Sequence, residues 1–161
     1  YFILAKERFE EMIRQDELLE YASVYGNYYG TPCQYVKDKL AQGCDVVLEI
    51  DPQGAMQIKK KFPEGVFVFI VPPSPTELSK RIHKRGTDSP EVIDRRLEAA
   101  AEELSYASKY DYLVVNDQVE TATAKVSAIV TAEKNRVVRN CELIDEVCRR
   151  FILAQKEGHH G

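Results

Sequence analysis

Arginine spacing carries the strongest chemical signal in this sequence. Arg81 and Arg85 stand four apart, so a helix places both on one face, and Arg95 and Arg96 follow just past the Gly86–Pro90 stretch. Guanidinium groups bind phosphate oxygens bidentately, and a cluster of them around a Gly-, Thr-, Asp-, Ser- and Pro-containing connection suits a polyphosphate bound beside a mobile segment. Lys80, Lys84 and Glu91 lie among them, so part of the cluster also reads as a solvated helix face. His83 faces away from the arginine line and reads as a surface residue.

A second group surrounds Glu20, which lies in an aromatic stretch followed by Tyr28-Tyr29-Gly30-Thr31. A purine with donors on its Watson–Crick edge, guanine, needs an acceptor carboxylate, where adenine would need a donor and an acceptor together, and a buried glutamate supplies one. Tyrosine hydroxyls can reach a phosphate, and Gly30 lets the backbone approach closely. Tyr21 and Tyr25 read as aromatic packing of a small hairpin, and Met12 and Met56 as core. A third pair, Glu49 and Asp51, falls on alternate positions at the end of an apolar run, on one side of a strand. Such carboxylates can hold Mg²⁺ through water or accept hydrogen bonds from a ligand; equally, Asp51 can simply cap the next helix. Asn116-Asp117 ends another apolar run and can read a ligand edge or form a turn.

These side chains need elements to position them. Asp45–Ile50, Val66–Val71 and Tyr112–Val115 are apolar on consecutive positions, the pattern of strands buried on both faces. Helix signals follow each one. Asp51-Pro52 predicts a capped helix over 53–62, Ser74-Pro75-Thr76-Glu77 a capping box leading into 78–85, and Val119 to Gln155 a helical stretch bent near Asn140. Repeated strand, cap and helix imply parallel strands joined by right-handed crossovers, with ligands expected at the strands' carboxyl ends. Before this core, a helix within Phe2–Gln15 presents Phe9, Met12 and Ile13 on one face. A hairpin over Leu18–Tyr29 turns at Gly26-Asn27, and Thr31-Pro32 caps a helix over 33–42 that Gly43 ends.

Composition bounds the possibilities. The chain has 161 residues, 44% hydrophobic and 30% charged, enough for one domain with a real core. With 22 Lys and Arg against 26 Asp and Glu, its net charge of -4 predicts no affinity for nucleic acid or anionic lipid. No run approaches the ~20 apolar residues of a membrane span and no leader is visible, so a cytoplasmic protein is expected. Cys33, Cys44, Cys141 and Cys148 lack metal-site spacing and read as buried or free thiols. Val137, Ile144 and Phe151 recur at heptad spacing in the C-terminal helix, which suits packing on its own domain or in a homodimer.

Six blocks carry a family resemblance: Glu20-Tyr21-Ala22; Gly26-Asn27-Tyr28-Tyr29-Gly30-Thr31; Leu48-Glu49-Ile50-Asp51 with Gln53-Gly54; Pro72-Pro73-Ser74; Arg85-Gly86-Thr87; and Val115-Asn116-Asp117. In this order and spacing, over about residues 1 to 135, they resemble guanylate kinase, and Glu133 to Phe151 resembles the helical extension of bacterial members. The resemblance implies a P-loop NTPase-like parallel sheet with crossover helices, incomplete at its N-terminus. It adds a GMP-binding subdomain (1–43), a core (44–156) with a lid inset at about 84–98, and a tail or shortened tag (157–161) to which no metal is assigned. It also implies phosphoryl transfer from ATP, with Mg²⁺, to GMP or dGMP. Tyr1 and Tyr29 would contact the GMP phosphate, Glu20 with Thr31, beside Gly30, would read guanine, and Glu49 and Asp51 would lie toward the metal and phosphates. Arg81, Arg85 and Arg96 would bind the transferred phosphoryl and Asn116 would lie against adenine; Arg95 stands where lysine is common.

One departure is large: the sequence contains no G-x-x-x-x-G-K-[ST]. The resemblance places that loop ahead of the equivalent of Tyr1, so the chain is expected to be truncated and, as it stands, inactive or nearly so. Two other readings keep most of these residues: a non-catalytic phosphopeptide-binding module of the guanylate-kinase-like type, and a related kinase acting on another phosphate acceptor.

Overall fold

Helix caps and apolar stripes build most of the expected elements. The computed structural model describes residues 2–24, 27–84 and 90–157, with the side chains at 24, 90–96, 156 and 157 outside that description. The Gly86–Pro90 connection, Arg85, Tyr1 and Tyr25 therefore lie at or beyond its limits. The chain divides into two compact units, Tyr1–Phe67 with Glu103–Tyr106, and Val68–Glu102 with Ala107–Gly161.

In the first unit, α1 (Lys6–Arg14) buries Phe9 and Met12 against Leu18, with Ile13 and Tyr28 packed around them. The Phe9 and Tyr28 rings stack with centroids 5.2 Å apart. Strands β1 (Leu18–Val24) and β2 (Asn27–Pro32) form an antiparallel hairpin whose ladder is irregular between Leu18 and Glu20. That irregularity lets Leu18, Leu19 and Glu20 all be buried in succession. Tyr21, expected in the aromatic core, is instead 40% exposed, because the next position on the strand points to the opposite face from Glu20.

Helix α2 (Cys33–Ala41) has Pro32 as its N-cap and no side-chain cap: the Thr31 hydroxyl, expected to cap it, is committed elsewhere. The helix is followed by Gly43 at φ 77°, the left-handed conformation that glycine accepts. In α3 (Pro52–Lys61), Asp51 caps as expected, its Oδ1 accepting from the Gly54 N–H at 2.7 Å. The expected strand over 45–50 does not form. No strand pairing is present there among the described residues, and Val47 is 87% exposed. A strand exists through its ladder, and apolar character alone supplies no partner. Glu49 and Asp51 consequently do not share a strand face.

The second unit is built on β3 (Val68–Val71) and β4 (Tyr112–Val115), parallel and in register from Val68↔Tyr112 to Val71↔Val115. A parallel pair requires a crossover, which α4 (Pro75–Lys84) and α5 (Pro90–Leu104) provide. Val114 and Phe69 are buried, and Phe69 meets Tyr110 edge to face at 4.8 Å. Ser74 caps α4 by accepting from the Glu77 N–H at 3.1 Å, but the Glu77 carboxylate turns to Arg81, so only half of the expected capping box forms.

Beyond β4, α6 (Val119–Lys134) packs Ala122 inward. The expected bend is a 3₁₀ turn at Val137–Arg139, held by the Asn140 amide donating to the Lys134 and Arg136 carbonyls at 2.7 and 2.9 Å. Val137 lies in that turn, so the heptad does not run through one helix as expected. Ile144 and Phe151 continue on α7 (Cys141–Glu157) alone, both exposed. Among the described residues, no helix is long and apolar enough to cross a membrane. The four cysteines are free, Cys33 half-buried and the others exposed, so none is buried.

Glu133 ties the end of α6 to the sheet. Its buried carboxylate accepts from Tyr112 Oη at 2.6 Å and, at 3.3 Å each, from Arg136 and Arg139. The tyrosine hydrogen bond chiefly, helped by the two guanidinium groups against the opposing effect of burial, holds the Glu133 carboxyl below the ordinary carboxylate range. The same bond, with burial and the carboxylate's charge, pushes the Tyr112 hydroxyl above the ordinary tyrosine value. A lowered carboxylate stabilises the fold above its unfolded-state pKa, and that contribution is lost as pH falls through the folded value. The raised tyrosine stabilises below its own unfolded-state pKa, with loss as pH rises past the folded value. Urea midpoints of Glu133→Gln are expected to fall less steeply between about pH 5 and about pH 2 than those of the unaltered chain. An equal acid slope would show that Glu133 is not a source of it.

Candidate functional site

The hairpin brings two of the expected residues together. Glu20 on β1 lies opposite Thr31 on β2, and the Thr31 hydroxyl donates to Glu20 Oε1 at 2.6 Å. Glu20 is only 7% exposed, so its carboxyl group is largely removed from water. Such a carboxylate costs free energy unless its oxygens find donors. Gly30 makes the close approach possible: a Cβ there would stand 2.8 Å from the Glu20 carbonyl oxygen and 3.0 Å from the Phe9 ring. Gly54, in the first turn of α3, does the same for the other carboxylate oxygen, since a Cβ would fall 3.1 Å from Glu20 Oε2.

Beside this pair lies a cavity of about 360 Å³ walled by Tyr21, Ser23, Tyr28, Asp51, Gln53 and Gln57, among others. Glu20 itself is not in its wall, whereas its neighbour Tyr21 and its contact Gly54 are. Of the other residues expected here, Tyr29 and Glu49 are exposed, Asp51 serves as the α3 cap, and Tyr1 is outside the described residues. A half-enclosed cavity with an adjoining buried acceptor is suited to a planar ligand that presents N–H donors.

In the second unit, Arg81 is held firmly. Its Nε donates to Glu77 at 2.9 Å, and its two terminal nitrogens donate to the carbonyls of Asn116 and Asp117 at 2.8 and 3.1 Å. Asn116 extends the parallel ladder by donating its N–H to the Val71 carbonyl at 2.7 Å. Arg81 and Asn116 are therefore brought together at the carboxyl end of β4, the end at which α/β sheets bind ligands. Arg95 and Arg96 lie on α5 with undescribed side chains, and His83 is exposed, its Nδ1 donating to the Ser79 carbonyl at 2.7 Å. Among the described residues, no group of three or more His, Cys, Asp or Glu is placed to hold a metal ion.

Gln57 and the Tyr112–Glu133 pair escaped sequence reasoning. An exposed-looking glutamine on one helix and a glutamate at the end of another carry no local signal, because their partners lie 36 and 21 residues away.

A hairpin-borne acceptor site and a parallel α/β unit with an arginine at a strand's carboxyl end define a nucleotide-handling fold of the kinase type. The guanylate kinase family profile matches residues 1–133. The chain is 56% identical over 139 residues to the guanylate kinase of Desulfitobacterium hafniense (strain Y51), covering 86% of this chain and 70% of the relative. Over 143 residues it is 56% identical to that of Caldanaerobacter subterraneus subsp. tengcongensis, covering 89% and 69%. The crystal structure of guanylate kinase from Anaplasma phagocytophilum superposes with a TM-score of 0.70 at 34% identity, covering 86% of this chain and 68% of that one. This chain belongs to the guanylate kinase family.

The Glu20–Thr31 contact is directly testable. Thr31→Val keeps the shape but leaves Glu20 Oε1 without its donor, and is expected to lower urea stability by ~1–3 kcal/mol while Thr31→Ser changes it little. Equal stability of the valine and serine variants would show that the hydroxyl does not satisfy the carboxylate.

Proposed function

We propose that the chain takes part in transfer of the ATP γ-phosphoryl to GMP or dGMP in the cytoplasm, giving ADP and GDP or dGDP, the first unit binding the acceptor and the second ATP. The observation that carries this reading is the buried Glu20 carboxylate, with one oxygen already bonded to Thr31. Guanine presents its ring N–H and exocyclic amine side by side, and a carboxylate accepts from both. Adenine presents an unprotonated ring nitrogen at the equivalent edge, which a carboxylate repels.

On this reading Tyr1 and Tyr29 contact the acceptor phosphate, and Gly30 lets the strand approach it. Glu49 and Asp51 are the carboxylates on the acceptor side. Mg²⁺ enters with ATP as part of the substrate, since this ion is commonly bound through phosphates and one or two carboxylates. Asn116 lies against adenine.

Phosphoryl transfer leaves little covalent work to the protein, so positioning and charge neutralisation dominate. Arg81 suits that task because Glu77 and two carbonyls fix its plane before substrate arrives, with donor hydrogens still available on the guanidinium. Arg85 and Arg96 are assigned the same role from the family's motif. The sequence holds no G-x-x-x-x-G-K-[ST] phosphate cradle. We therefore propose that the isolated chain binds GMP without efficient turnover.

Calorimetry with GMP and a coupled ADP-release assay test both parts. GMP heat is expected with ADP release near background; ordinary turnover would overturn the inactivity proposal. Binding of a phosphoserine peptide without GMP heat would replace the kinase reading with a peptide-binding module. Glu20→Gln is expected to cut the preference for GMP over AMP by ~1–3 kcal/mol, and an unchanged preference would remove Glu20 as the base reader.

A further inference from the structure

We propose that Gln57 is a positioning residue for base recognition: its side-chain amide pairs with the free edge of β1 at Tyr21 and so fixes the Glu20 carboxylate. This rests on the reading of Glu20 as the guanine acceptor. Gln57 Oε1 accepts from the Tyr21 N–H at 3.2 Å and Gln57 Nε2 donates to the Tyr21 carbonyl at 3.1 Å. The two bonds reproduce one rung of a β-ladder, with a side-chain amide standing in for a backbone one. The pairing also determines which end of the amide is oxygen, since the reverse would set donor against donor and acceptor against acceptor.

Helix geometry extends the clamp along β1. Gly54, Gln57 and Lys61 are spaced by three and four residues, so they share one face of α3. Gly54 meets the Glu20 carboxylate, Gln57 meets the Tyr21 backbone, and Lys61 donates to the Leu18 carbonyl at 2.7 Å. The helix is itself secured by its Asp51 cap, by buried Ala55 and Ile58, and by the Lys61–Asp16 ion pair. Thus β1 is held on one side by β2 and on the other by the polar face of α3.

A carboxylate that must accept two N–H groups from a planar base tolerates little displacement. Releasing the Tyr21 rung frees the residue adjacent to the reader. The loss should fall on the contact that distinguishes guanine, its exocyclic amine, more than on nucleotide binding in general. IMP lacks that amine and otherwise matches GMP, so the GMP-to-IMP affinity ratio reports the clamp separately from overall stability.

Calorimetric titration of the 161-residue chain with GMP and IMP tests this. Gln57→Met, similar in length but without either hydrogen bond, is expected to lower the ratio about tenfold, with a smaller change in IMP affinity. Gln57→Glu, which keeps the acceptor and loses the donor, is expected to lower it by an intermediate factor. An unchanged ratio in folded variants, even with a reduced thermal midpoint, would make Gln57 a structural brace and overturn the proposal. Glu20→Gln run alongside separates the two claims: if it leaves the ratio intact, the base reading fails; if it collapses the ratio while Gln57→Met does not, only the clamp fails. Amide exchange in the unaltered chain supplies a check that needs no variant. The Tyr21 N–H is expected to be protected like those paired across β1 and β2, and exchange at an open-chain rate would overturn the clamp.

Discussion

A carboxylate taken out of water must be met by donors, and the first unit is organised around that requirement at Glu20. Its burial costs free energy that Thr31 partly offsets, and the neighbouring elements are arranged so that the other oxygen is not crowded. Gly30 is needed because the hairpin passes so close to the Glu20 carbonyl, and Gly54 because the first turn of α3 passes so close to the carboxylate. Asp51 caps that turn, and Gln57 and Lys61 bind the strand further along. Of these features, the Thr31 hydroxyl and Gly54 answer to the carboxylate itself, and the others secure the backbone that carries it. Burial with one oxygen already bonded is why the proposed base-reading role falls on Glu20 rather than on the exposed carboxylate of Glu49.

The second unit uses a buried carboxylate differently. Glu133 is surrounded by a tyrosine hydroxyl and two guanidinium groups, a set of donors that leaves it ionised and structurally committed. It joins the start of β4 to the end of α6, while Arg81 and Asn116 occupy the opposite end of the same strand. The strand is thereby tied at its start to α6 and at its carboxyl end to Arg81 of α4. Arg81 lends three donors to protein acceptors, which restricts its rotamer freedom and gives its charge a fixed direction.

Much of this architecture was legible in advance because it rests on local chemistry. Asp51-Pro52 and Ser74-Pro75 start helices where they stand, Gly43 ends one, and the apolar runs 66–71 and 112–115 pair as parallel strands, the first of them only over 68–71. The misreadings share a cause. The 45–50 run has strand composition but no ladder partner among the described residues. Thr31 and Glu77 have capping side chains but better partners in Glu20 and Arg81, and Tyr21 falls on the exposed side of a strand whose register is locally irregular. For Thr31 and Glu77 a competing contact outweighed a local preference, and for the other two strand pairing and register decided what composition does not encode.

The site divides along the same line. Residue types and spacing drew attention to Glu20 and Arg81, and the family resemblance added Thr31 and Asn116, because an acceptor beside tyrosines and arginines repeated on a helix face are chemical statements that a sequence can make. Spacing could not show that Thr31 bonds Glu20, that Arg81 bonds the carbonyls beyond β4, or that Gln57 closes the edge of β1. Those contacts join residues 11, 35 and 36 positions apart, and only the folding of strands and helices against one another brings them within hydrogen-bond distance. The sequence by itself determined which side chains were available for chemistry; the tertiary structure decided which of them were held still, because a hydrogen bond requires its partners within about 3 Å and local geometry reaches only a few residues along the chain.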